Sequence, residues 1–81
     1  MDSQFSNHKD FYSLEEGDSV VALRDLEYQF THYDVPEGTG GLVQEVYDKL
    51  FFGPRVAVVV FSNGNTVECE EEDVRHSPPA E

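Results

Sequence analysis

Positive charge is scarce in this chain. Only five of its 81 residues are Lys or Arg, against seventeen Asp and Glu, and the net charge at pH 7 is −12. Lys9, Arg24, Lys49, Arg55 and Arg75 are scattered along the sequence and form no basic run. Direct binding to nucleic acid or to an anionic membrane surface is therefore not expected, because both need clustered cations. Cysteine is as sparse. The lone Cys69 makes no internal disulfide and no thiolate metal site. No apolar run approaches the ~20 residues of a membrane-spanning helix. No basic stretch followed by an apolar one marks a secretory signal at the N-terminus. A cytoplasmic protein in a reducing compartment is the resulting expectation.

Catalytic motifs are missing as well. His8, His32 and His76 lie far apart, with no spacing signature of a metal site. Gly38, Gly40 and Gly41 are followed by no Gly-Lys-Ser/Thr and are flanked by acidic residues, which argues against phosphate binding. The run Glu68, Glu70, Glu71, Glu72, Asp73 lacks the spacing and the glycine of a calcium loop, and reads as a solvated acidic face. Cys69 alternates with Val67 toward the interior and has no cation to activate it. The expectation is no catalytic residue, no metal, no cofactor and no enzymatic activity.

What the chain does carry is turn residues and short apolar runs. One domain is the prior for 81 residues, and such a domain buries only roughly 60% of its unfolded surface. Six Phe and four Tyr allow one core. The strongest local signal is Arg55–Cys69, a β-branched run through Phe61, then Asn63-Gly64, then the alternating Thr66-Val-Glu-Cys69. Asn-Gly between two such runs predicts a hairpin with a tight primed turn. It is the one place where the sequence provides a strand apolar on both faces. Ser19 to Arg24 predicts a strand whose pattern does not say which face is inside. Leu42 to Tyr47 predicts another. Val43 and Val46 lie three apart, so strict alternation would put them on opposite faces, and a bulge or bend is expected. Glu70–Asp73 predicts one turn of 3₁₀ helix, and Val74–His76 a short closing strand. Ser13-Leu-Glu-Glu16 carries a capping-box pattern. The expected organisation is a partly flexible lead-in over 1–16 that docks Phe11, Tyr12 and Leu14, a folded body over 17–76, and a tail over 77–81.

Gly17-Asp18 before an apolar strand, Pro36-Glu-Gly-Thr-Gly-Gly-Leu-Val43 before the second, Val58-Val-Val-Phe-Ser-Asn-Gly64, and Glu72-Asp-Val-Arg75 at the close together resemble SH3-like barrels of the KOW type. The resemblance covers about residues 17–76. It is nearest to small bacterial single-barrel proteins of unassigned role, with features shared by the barrel of the nitrile hydratase β subunit and by small photosystem subunits. It implies an all-β fold, a small five-stranded SH3-like barrel with a 3₁₀ turn before the last strand. KOW-type modules that touch RNA are usually basic, and this chain is acidic.

Two connections stand out as a working surface. Asp25–Thr39 is a long loop holding Tyr28, Phe30, Tyr33, Asp34 and Glu37, and Asp48–Pro54 holds Leu50, Phe51 and Phe52. In SH3-like barrels these loops border one groove. Aromatic anchors inside a rim of Asp25, Glu27, Asp34, Glu37 and Asp48 suit a basic or amphipathic peptide segment. The expected partner is a basic protein surface or a larger complex, and the expected role a non-enzymatic binding module or small accessory subunit. The alternative is a phage-type inhibitor that mimics nucleic acid on a basic nuclease or polymerase. The oligomeric state stays open, and the short last strand leaves a sheet edge able to pair with another copy.

Overall fold

The chain is all-β, with seven strands and one 3₁₀ turn among the described residues. The computed structural model describes residues 9–27, 34–49 and 53–78. The strands are β1 Ser19–Ala22, β2 Leu26–Glu27, β3 Asp34–Val35, β4 Gly40–Asp48, β5 Arg55–Phe61, β6 Thr66–Cys69 and β7 Val74–His76. Five form one antiparallel sheet in the order β6-β5-β4-β1-β7, and β2 and β3 pair separately as a small arm. A five-stranded antiparallel sheet of this kind is compatible with an SH3-like fold.

The predicted hairpin is present, but its turn is not the two-residue primed kind. The N–H of Gly64 donates to Phe61 O at 2.9 Å, and that of Phe61 to Asn65 O at 2.8 Å. Ser62-Asn63-Gly64 is therefore a three-residue loop, with Gly64 at φ 95°. A type I turn closed by a left-handed residue has this form, and only the last position needs glycine. The expected bulge is also present. The β4–β5 register shifts between Val43 and Glu45, leaving Gln44 as the extra residue. Val43 and Val46 thus both face inward, Val43 buried and Val46 half-buried against the core.

Inward rows cross the sheet as Val43–Val59–Val67 and Val46–Ala57–Cys69. Val20 and Ala22 from β1 and Val74 from β7 extend this face. Phe11 and Leu14 close it from the N-terminal side, and Leu26 and Val35 from the arm. The apolar doublet Phe11-Tyr12 splits, with Phe11 buried and Tyr12 exposed. The 3₁₀ helix is Phe11–Ser13. Before β7 the chain makes a single i→i+3 turn, closed by Asp73 N–H to Glu70 O at 2.9 Å.

Residues 9–18 are strapped to the sheet. The Lys9 N–H donates to His76 Nδ1 at 3.0 Å, and the Lys9 ammonium donates to Asp18 Oδ2 at 2.9 Å. The Glu15 N–H donates to the same oxygen at 2.9 Å. Burial alone would raise the Asp18 pKa. The Lys9 and Glu15 hydrogen bonds, with the charges of Lys9 and His76, outweigh it and hold the carboxyl below its ordinary 3.8. The hydrogen bond to Asp18 likewise holds the Lys9 amine above its ordinary 10.5. A carboxylate depressed in the folded state contributes stability above its unfolded pKa, lost as pH falls through the folded value. Asp18→Asn is therefore expected to destabilise the chain at pH 7. Its deficit should shrink as pH falls below 3.8, measured by urea unfolding at stepped pH. A deficit that does not change with pH would contradict this assignment.

Candidate functional site

The arm grows out of β1 through a clamp that the acidic run supplies. Leu23 N–H donates to Asp73 O at 2.8 Å. The Arg24 guanidinium grips Asp73 Oδ1, with Nη2 at 2.6 Å and Nε at 2.8 Å. Asp73 Oδ2 accepts the Glu70 N–H at 2.9 Å. Asp73 is buried, so it is a clamp and not part of a solvated acidic face. Burying a carboxylate is costly unless donors meet it, and here Arg24 and a backbone N–H do so.

Past this clamp Leu26 pairs with Val35 and Glu27 with Asp34. Leu26 and Val35 are both buried and seat the arm on the core. The return path is set by a turn in which Thr39 N–H donates to Pro36 O at 3.1 Å, and by Asp25 Oδ1, which accepts the Glu37 N–H at 2.8 Å. Between them lies a recess of about 120 Å³ lined by Asp25, Leu26, Glu27, Val35 and Pro36. Its floor is apolar and two carboxylates border it. It is smaller than the ~300 Å³ at which small-molecule sites begin, and its size suits one side chain.

The predicted site residues divide. Tyr28, Phe30, Tyr33, Leu50, Phe51 and Phe52 lie outside the described residues. Asp34 is on β3, and Glu37 sits exposed at the turn, its N–H held by Asp25. Asp25, Glu27 and Glu37 thus gather at the base of the arm. Asp48 sits at the far end of β4, where its Oδ1 lies 3.4 Å from Arg55 Nε.

The other acidic residues also have distinct surroundings. Glu68 is exposed on β6 and shares a hydrogen bond with the Tyr47 phenol. Burial first, and then Glu68, pushes that phenol up. Glu70 is half-buried and pairs with Lys49 at 2.8 Å, and this bond pushes the lysine up. Glu71 is exposed and accepts the Tyr12 hydroxyl at 3.2 Å, which pushes the Tyr12 pKa up. Glu72 is exposed. Lys9, Arg24, Lys49 and Arg55 are thus all engaged by carboxylates.

Among the described residues, no three His, Cys, Asp or Glu are grouped to hold a metal ion, and no helix is long and apolar enough to cross a membrane. Cys69 is fully buried, and burial foremost, with the charge of Asp73, pushes its thiol up to about 12. A thiol so protonated is not a nucleophile at neutral pH. Large exposed apolar side chains occur where the sequence did not point, at Tyr12, Leu23, Leu42 and Val60. The signal for Leu42 and Val60 was alternation counted outward from the inward-facing Val43 and Val59. Compared with known proteins, the chain matches no family model, no curated protein and no solved structure.

Proposed function

We propose that this chain is a non-catalytic binding module, an SH3-like barrel of the KOW kind, that engages a basic protein surface through its acidic arm. One observation carries the reading: the recess at the base of the arm joins an apolar floor to a carboxylate rim. A Lys or Arg side chain has the matching form, an aliphatic stem ending in a cation. The acidic excess supports this partner class, since a field of −12 speeds encounter with cations and repels phosphate. Glu27, which lines the recess, and Glu37 are both exposed, which supports this partner class. The fold order supports an adaptor or accessory subunit, with the loop residues Tyr28, Phe30, Tyr33, Phe51 and Phe52 as further anchors.

Affinity capture from cell extract with mass spectrometry tests this. Basic proteins should be retained by the native chain. Retention should fall about tenfold with Glu27→Lys and Glu37→Lys combined, and also with Phe51→Ala and Phe52→Ala combined, while circular dichroism stays unchanged. A tenfold loss corresponds to ~1.4 kcal/mol. Undiminished capture by the Glu27/Glu37 variant would remove the arm from the site. Displacement of the captured partner by added DNA would replace the adaptor reading with that of a nucleic-acid mimic.

A further inference from the structure

The outward side of β5 breaks the usual rule for an antiparallel sheet. One face of such a sheet is normally packed and the other polar. On β5 the outward row reads Val56, Val58, Val60, with no polar residue. Its burial falls steadily along the strand. Val56 is 1% exposed although it lies outside the main core cluster, Val58 is half-buried, and Val60 is 38% exposed. Directly opposite Val60 on β4 is Leu42, the most exposed large aliphatic side chain among the described residues at 55%. The outward face is thus covered at one end of β5 and bare at the other.

The next row along the sheet supplies charge. Glu45 on β4 and Glu68 on β6 are both register partners of Val58, one on each side. Both are exposed, and among the described residues neither is in an ion pair. Two carboxylates therefore bracket a valine, beside an exposed Leu–Val pair.

We propose that this face, on β4–β6, docks a short basic amphipathic helix of a partner protein. Charge chooses the partner. A second copy would bring another −12 and face its own Glu45 and Glu68 against these, which like-charge repulsion disfavours. Spacing chooses the helix. Glu45 and Glu68 are two strand spacings apart, or ~9.5 Å. Helix positions i and i+7 share a face at ~10.5 Å, with i+3 and i+4 between them. In an extended chain, residues of one face recur at ~7 and ~13 Å, and neither matches. Lys or Arg at i and i+7 meets the two glutamates, and aliphatic residues at i+3 and i+4 cover Val58, Val60 and Leu42. The site is distinct from the arm and does not rest on the arm's role.

The test uses the full chain and a fluorescent Ala-based helical peptide with Lys at i and i+7 and Leu at i+3 and i+4. A scrambled peptide of the same composition is the control. Amide chemical-shift changes should centre on Leu42, Glu45, Val58, Val60 and Glu68, and the scrambled peptide should bind at least tenfold more weakly. Leu42→Ser should weaken binding about tenfold, as expected for removing one buried aliphatic contact. Glu45→Lys should do likewise, and both variants change exposed side chains and should keep the native circular dichroism. Equal binding of the scrambled peptide, or shifts centred on β2 and β3, would overturn the proposal. So would concentration-dependent self-association of the chain that Leu42→Ser abolishes, which would assign the face to a second copy.

Discussion

Phe61→Ala is expected to leave this chain largely unfolded. Phe61 ends β5, is 2% exposed, and heads the largest fully buried side chains. Its place in the core is matched to a glycine. Gly41 is its register partner on β4, and a Cβ built on Gly41 would lie 3.0 Å from Phe61 Cδ1, 2.6 Å from Val59 Cγ1 and 3.0 Å from Val60 O. The aromatic ring and Val59 thus fill the space that a side chain at position 41 would take. Truncating the ring opens a cavity beside a residue with no side chain to refill it. Phe→Ala in a core costs about 3–5 kcal/mol. A chain of 81 residues holds about 4–12 kcal/mol in total, so most or all of the margin goes. Urea unfolding followed by circular dichroism measures the loss. Alkylation of Cys69, buried and protonated in the native fold, should become rapid in the variant. An unfolding free energy within about 1 kcal/mol of the native chain's would contradict this account of the core.

Asp73→Ala is the second large effect, expected to cost about 3 kcal/mol by the same measurement. Its carboxylate ties two parts of the chain: Arg24 at the base of the arm and the Glu70 N–H that opens the turn before β7. Hydrogen bonds involving a charge are worth about 1.5–3 kcal/mol, and stranding the half-buried Glu70 N–H adds to that. The partner should behave differently. The Arg24 side chain is 59% exposed, against 12% for Asp73, so Arg24→Ala removes a largely hydrated cation, leaves the carboxylate its Glu70 N–H, and should cost less than Asp73→Ala. The asymmetry is the diagnostic. Equal losses for the two variants would show that the ion pair matters and the backbone cap does not.

Much of the sheet was legible because its signals are local. Arg55–Phe61 is a strand with the predicted limits, since a run of β-branched residues has few alternatives. Val43 and Val46 announced the bulge, because three-residue spacing and a shared inward face are compatible only with an extra residue. The turn was legible in place but not in kind. Asn63-Gly64 fits both a two-residue and a three-residue loop, and the register of Val60 with Thr66 decides between them. Asp73 was illegible because its burial depends on Arg24, 49 positions away, and within a run of acids it looks like its neighbours. The β2–β3 ladder escaped because two residues carry no period. Of the candidate site, the charge and the loop positions were readable. The recess was not, since it needs Leu26 and Val35 opposite each other.

The strap has a bearing on synthesis. The Lys9 N–H finds its acceptor on His76, 67 positions later, and β1 pairs with β7 on one side and β4 on the other. Closing so long a loop costs entropy that only the assembled sheet offsets. Lys9 must therefore wait for a residue made 67 positions later. Until Val74–His76 arrives, Phe11 and Leu14 have no complete surface to cover, and the nascent chain carries its apolar strands unprotected. This topology makes the strap a late contact, and until β7 is made a chaperone or a partner can reach the open strands.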